Sequence, residues 1–338
     1  MGCPVRLQSE KLHVDVLPDN GGRVASIRCR RTETEFLLSG SKYGATAAFS
    51  DTAPFEVSDC AGWDECLPTV SFSFSESGEY DAPDHGDLWR RPWITLEQSE
   101  AHIVLSTECF SRSFSFTRSL HVEATRIRFD YSVANRGHKA ESFLYACHPL
   151  FAVDAGDGVL LPREISTVRL HYSRGNRIGL PGEQIPWPLT VPGCEKSAIN
   201  LVGDVLDSTA EMFYVTSLRR GICALYRAHR NQAVVMRFTL ESLPFLGLWI
   251  CSGGWPEQDG LRKQHAVALE PTVAPSGSLA DAVAVNSAPL LQPGAEYKFS
   301  VEVEILGCDQ PCTYEEVNAI LDITQLIQSD TCAQRKAS

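Results

Sequence analysis

No apolar run in this chain of 338 residues approaches the roughly 20 residues that a membrane-spanning helix needs, so no transmembrane segment is expected. Basic charge is also in short supply: 30 Lys and Arg stand against 42 Asp and Glu, a net charge of −12. Nucleic-acid phosphates require the opposite sign, which removes them as expected partners. The short basic clusters that do occur, such as Arg28, Arg30 and Arg31 or Arg219 and Arg220, read as solvated strand edges and turns. The opening Met1-Gly2-Cys3-Pro4-Val5-Arg6 has no apolar core of a secretory signal, and Arg6 spoils a myristoylation pattern. Metal-binding spacing is lacking too. Cys60 and Cys66, like Cys308 and Cys312, are spaced too loosely, and neither pair has a second pair of ligands nearby. Cys29, Cys109, Cys147 and Cys223 sit among strand-like residues, where a free cysteine behaves as a small hydrophobe. The expectation is a reduced, cytoplasmic globular protein with no metal and no cofactor.

What the chain does have is alternation with a period of two. Between Ser113 and Val133, Phe114, Phe116, Leu120, Ile127, Phe129, Tyr131 and Val133 alternate with Ser115, Arg118, Arg126, Arg128 and Asp130, the pattern of a hairpin with one buried face. Tyr297 to Ile305 repeats it. Further strands are predicted at Arg23–Cys29, Val70–Phe74, His102–Phe110, Phe143–His148, Val168–His171, Met212–Thr216, Ile222–Arg227, Ala233–Leu240, Phe245–Ile250 and Ala266–Glu270, separated by turn residues such as Asn20-Gly21-Gly22. The class is therefore all-β, a large antiparallel sandwich or barrel with a few short helices. One helix is well marked, at about 313–328: Thr313 and Glu316 form a capping box, and Val317, Ile320, Leu321 and Ile327 make one apolar stripe. The stretch Leu180–Gly193, rich in Pro and Gly, is the single long loop. No break in composition suggests a linker, so residues 1–338 are read as one domain.

Three patches carry chemistry. Ala61 to Pro68 and Asp84 to Trp93 together offer Trp63, Trp89, Trp93, Asp64, Glu65, Asp84, Asp87, His85, Arg90 and Arg91. Flat aromatic faces and charged groups of this kind suit a sugar ring and its hydroxyls. His148 interrupts the apolar run Tyr145 to Phe151 and precedes a proline, which is expected to end ladder pairing there. Glu270 closes the apolar strand Ala266 to Leu269, and Phe245 to Ile250, with Trp249, lies just upstream. A carboxylate at such a strand end is costly unless paired or used, and burial would raise its pKa toward that of a general base. Taken singly, each patch also reads as ordinary structure: a turn histidine, a rim histidine, a strand-end carboxylate.

Their order changes that reading. The glycine-rich strand Gly21-Gly22-Arg23-Val24-Ala25-Ser26-Ile27, His85-Gly86 with Trp93 eight residues on, His148-Pro149-Leu150-Phe151 and Leu269-Glu270-Pro271-Thr272 follow in succession. Together they resemble the aldose 1-epimerase, or galactose mutarotase-like, family over roughly Val14 to Ile305. The resemblance implies a β-supersandwich with a groove for a monosaccharide. It further implies Glu270 as catalytic base, His148 as catalytic acid and His85 as a hydrogen-bonding partner of the sugar. Trp63, Asp64, Glu65, Arg90, Trp93 and Trp249 complete the expected sugar-binding set. The family's arginine ahead of His-Gly has no counterpart by position, since Arg23 lies too early. Arg90 or Arg91 falls one position out of step with the arginine of the hexose-6-phosphate epimerase branch. The aspartate of galactose mutarotases is also unmatched, and Trp63-Asp64-Glu65 is expected to stand in for it. Two other readings use the same residues: a sugar-binding protein without turnover, and a glycoside hydrolase or lyase pairing Glu270 with Asp64 or Glu65, which would need facing carboxylates.

Overall fold

The computed structural model of the chain describes residues 4–40, 53–75, 77–78, 80–189 and 198–323. Two large antiparallel sheets dominate it. In spatial order the ten-stranded sheet runs Val5–Gln8, Leu12–Leu17, Arg23–Cys29, Trp63–Cys66, Ala146–Ala152, His265–Thr272, Phe245–Ser252, Thr209–Val215, Thr167–Ser173, Gln184–Pro186. The eight-stranded sheet runs Gly158–Leu160, Ile222–Arg227, Gln232–Phe238, Glu296–Leu306, Arg126–Asn135, Phe114–Glu123, His102–Glu108, Ile94–Gln98. The predicted hairpin is present, with Phe129 opposite Leu120 and Val133 opposite Phe116. The inward residues of both sheets, among them Phe116, Phe129, Val301, Leu248 and Leu269, form one apolar core.

Strands were predicted well where one face is wet, as at Phe114–Glu123, Arg126–Asn135 and Glu296–Leu306. Arg23–Cys29 and Ile222–Arg227 are also strands over the predicted bounds, although both their faces are largely buried. Three predictions are corrected. The stretch Leu180–Gly193 is not all loop, because Gln184–Pro186 within it pairs with the Thr167–Ser173 strand. Only Ser73 and Phe74 of the Val70–Phe74 stretch are strand. The His148 strand begins at Ala146 and runs through Pro149 to Ala152 instead of ending at the proline. The ladder survives because Pro149 stands opposite Trp63 and the next amide, Leu150 N–H, donates to the Gly62 carbonyl at 2.9 Å. The C-terminal helix covers Tyr314–Asp322 with Thr313 and Glu316 in a capping box, burying Val317 and Leu321 against the Ile222–Arg227 strand side. Residues 324–328 of the predicted helix lie outside the described residues, as do positions 190–193 of the predicted long loop. Among the described residues no helix is long and apolar enough to cross a membrane.

A buried polar knot ties the two sheets together. Arg118, from the eight-stranded sheet, donates through Nη1 to Glu65 Oε1 of the ten-stranded sheet at 3.0 Å. The hydroxyls of Tyr131 and Tyr145 donate to the same carboxylate at 3.1 and 2.7 Å, and Arg118 also donates to the Gly22 carbonyl. Burial pushes the Glu65 carboxyl up, while Arg118 and the two hydroxyls pull against it. A fully buried carboxylate is tolerable only with such a set of donors.

Candidate active site

Alternation decides which side chains leave the core. Along His265–Thr272, Val267 and Leu269 enter the main core, whereas Ala266 and Ala268 pack with Phe55 and Leu150 on the opposite face of the sheet. Glu270 has the parity of Ala266 and Ala268 and therefore lies on that outer face. Its neighbours follow from register. Ala146 pairs with Thr272 and Leu150 with Ala268, which sets His148 opposite Glu270 on one side. Gly247 is opposite it on the other, with Tyr214 beyond Gly247 and Asp64 beyond His148. One row across the sheet thus reads Asp64, His148, Glu270, Gly247, Tyr214. Two residues along the strands, about 6.8 Å away, a second row reads Leu150, Ala268, Trp249, Met212, Tyr172.

His148, Glu270 and Tyr214 of the first row and Trp249, Met212 and Tyr172 of the second floor a cavity of about 430 Å³. His148 Nε2 lies 3.7 Å from Glu270 Oε1, with both side chains nearly inaccessible. Burial pushes the Glu270 carboxyl up to about 8. Burial also holds the His148 imidazole well below its ordinary value, helped by the neighbouring His85 ring and Arg23. Its Nδ1 is buried without a hydrogen-bond partner, so a charged ring would go unsupported on that side. At neutral pH the pair therefore carries one titratable proton, held by Glu270 beside a neutral His148. Gly247 makes the room: a Cβ there would meet Met212 Cε at 2.8 Å and Glu270 Oε2 at 3.1 Å.

His85 forms the wall above this pair. Its ring stacks on Phe55 at 4.1 Å and meets His148 edge-on at 5.0 Å between centroids. Asp84 orients it: Oδ1 lies 3.0 Å from His85 Nδ1 while Oδ2 accepts the Phe55 N–H at 2.7 Å. Burial raises the Asp84 carboxyl, but the His85 ring and the Phe55 amide outweigh it and hold the group below its usual range. The His-Gly motif has a steric cause. Gly86, at φ 70°, lies so close to Leu67 that a Cβ would sit 2.1 Å from the Leu67 carbonyl oxygen.

Of the residues singled out in the sequence, Glu270, His148, His85 and Trp249 line the cavity. The other five do not line it. Trp63 is fully buried against Phe129 and Phe151. Glu65 points into the inter-sheet knot. Asp64 is held by a two-pronged pair with Arg23, at 2.9 and 2.7 Å. Trp93 lies in the core under Arg118, 4.9 Å from its ring centre, with its N–H on the Leu88 carbonyl. Arg90 lies over Trp89 and donates to the carbonyls of Gly86, Ala53 and Asp84, so it braces the His85 turn from behind. The period of two explains the split at Trp63-Asp64-Glu65: neighbouring strand residues cannot all face one groove. The hydrolase reading loses both of its partner carboxylates, Glu65 because parity turns it to the core face and Asp64 because it is committed to Arg23. Among the described residues no three His, Cys, Asp or Glu side chains are grouped to hold a metal ion.

Sequence reading missed Tyr214, His171, Tyr172, Met212 and Phe55 as lining residues. Tyr214 and Met212 could have been found only with the register that sets them beside Gly247 and Trp249. Burial and the Arg169 guanidinium lower the His171 imidazole, whose ring meets Tyr214 edge-on at 5.2 Å.

No protein-family model matches the sequence, and no curated protein matches it. Solved structures do. A candidate aldose 1-epimerase from Escherichia coli K12 is 18% identical, with a TM-score of 0.65 over 90% of this chain and 98% of that one. A candidate aldose 1-epimerase from Klebsiella pneumoniae is 14% identical, with a TM-score of 0.68 over 93% and 82%. A galactose mutarotase related enzyme from Lactobacillus acidophilus is 14% identical, with a TM-score of 0.65 over 92% and 100%. At such identities the likeness shows the fold: this chain has the galactose mutarotase-like β-supersandwich, as the order of its motifs suggested.

Proposed function

We propose that the protein interconverts the anomers of an aldose by acid–base opening of the sugar ring, the isomerisation of an aldose 1-epimerase. The observation that carries this reading is the His148–Glu270 pair, an acid and a base 3.7 Å apart on the floor of a cavity with aromatic walls. In the productive form the pair's proton sits on His148. Glu270 takes the proton from the C1 hydroxyl, the C1–ring oxygen bond breaks as the C1 carbonyl forms, and His148 protonates the freed ring oxygen. Rotation about C1–C2 turns the other carbonyl face inward, and the reverse transfers close the ring. Protons and electrons balance without any redox partner, and each positioned proton transfer is worth typically about 10²–10⁴-fold. The resting pair, with its proton on Glu270, reaches the charged form by one transfer across the contact. Sugar hydroxyls bound beside it replace part of the lost solvation. His85, its Nδ1–H engaged by Asp84, presents Nε2 to accept from a sugar hydroxyl. The nine described cysteines are free, which supports a reducing, cytoplasmic setting.

Anomer exchange followed by NMR or polarimetry on a panel of sugars is the direct test. Faster equilibration with the protein than in buffer, abolished by Glu270→Gln, is the expected result. A panel in which no sugar is accelerated, or an equally active Glu270→Gln, refutes the reading.

A further inference from the structure

The reaction pair occupies only one of the two rows that floor the cavity. The second row, offset by two residues, is apolar and aromatic. Tyr172 and Trp249 lie side by side with ring centres 6.1 Å apart and planes 30° from parallel. Trp255 stands perpendicular to Trp249, at 6.2 Å and 89°, so the rings form a corner with a floor and a wall. Hydrogen bonds tether two of the three rings. Trp249 Nε1 donates to Gln264 Oε1, and the Tyr172 hydroxyl donates to Glu257 Oε1 at 2.6 Å. Pinned aromatic rings that remain partly open to solvent are what the apolar face of a sugar stacks on. The far end beyond the pair differs, with polar groups of Ser71, His171 and Tyr214.

Size points the same way. A hexose fills on the order of 200 Å³ at the packing density of an interior, about half of the 430 Å³ present. A monosaccharide seated at His148 and Glu270 would leave the aromatic corner empty. The anomeric oxygen must stay free for ring opening, so any extension of the substrate leaves from another carbon.

Resting on the ring-opening reading, we propose that the preferred substrate is a reducing disaccharide. Its reducing ring sits at His148 and Glu270, and its second ring stacks in the corner of Tyr172, Trp249 and Trp255. Glu257, exposed at the rim, is placed to accept from hydroxyls of that second ring.

The test compares NMR anomer exchange of glucose and galactose with that of maltose, cellobiose and lactose. At least one disaccharide should be turned over with a kcat/KM about tenfold above that of its reducing-end monosaccharide. Trp249→Ala and, separately, Tyr172→Ala should lower the disaccharide-to-monosaccharide ratio about tenfold, mainly through KM. Trp249→Phe should restore most of it. Monosaccharides exchanged as fast as every disaccharide, or a ratio that neither alanine variant moves, overturns this proposal and leaves the ring-opening reading standing. If neither class is accelerated, both fall together.

Discussion

Replacing Glu270 by Gln should make the protein more stable at neutral and alkaline pH while removing its activity. Burial pushes the Glu270 carboxyl from an ordinary 4.5 up to about 8. Between those values the folded state holds a proton that the unfolded chain releases, so wild-type stability falls as pH rises through the window. The slope is at most one proton, about 1.4 kcal/mol per pH unit. At pH 7 the ionisable group costs roughly 3 kcal/mol relative to a neutral isostere, and at pH 8 somewhat more. A glutamine of the same shape never ionises and carries no such slope. His148, held low, contributes in the opposite sense: its folded form is short of a proton below its ordinary value, and stability is gained as pH rises toward that value. That contribution is common to both proteins and cancels in the difference. Urea unfolding of both at pH 5, 6, 7 and 8 should therefore give a difference near zero at the acid end, growing in favour of Glu270→Gln by about 1 kcal/mol per unit above pH 5. A difference that is flat with pH, or a variant less stable than wild type at pH 8, would show that Glu270 is not desolvated as its geometry implies.

Three further outcomes follow from the same geometry. Exchange activity should decline above about pH 8, where Glu270 ionises and the pair loses its one proton; a pH profile of kcat/KM checks this. Gly247→Ala would set a methyl group 3.1 Å from Glu270 Oε2, so anomer exchange should drop at least about tenfold, since small misplacements of a reacting group are costly; far-ultraviolet circular dichroism should remain that of the wild type. Glu65→Ala removes the acceptor of Arg118, Tyr131 and Tyr145 between the sheets and should destabilise the fold by about 3–5 kcal/mol, as breaking a buried pair does, measured by denaturant unfolding.

Local patterns in the sequence determined a good deal. Alternation marked the strands that have one wet face, the capping box placed the start of the last helix, and the tight His85-Gly86 turn follows from a residue type that alone fits against Leu67. Glu270 and His148 were legible because an ionisable group in an apolar strand needs a reason to be there. Tertiary structure decided the rest. Trp63, Asp64 and Glu65 are neighbours in the chain, yet a strand sends them to opposite faces, and which parity meets the groove depends on pairing with Ala146–Ala152, some eighty residues away. Arg23 looked too early in the chain to matter, but folding sets it against Asp64 and near enough to His148 to lower its imidazole. Tyr172, Met212 and Tyr214 carry no local signal at all. They join the cavity through the register that ranks four strands side by side, because a period of two fixes which residues share a face but not which strand lies next to which.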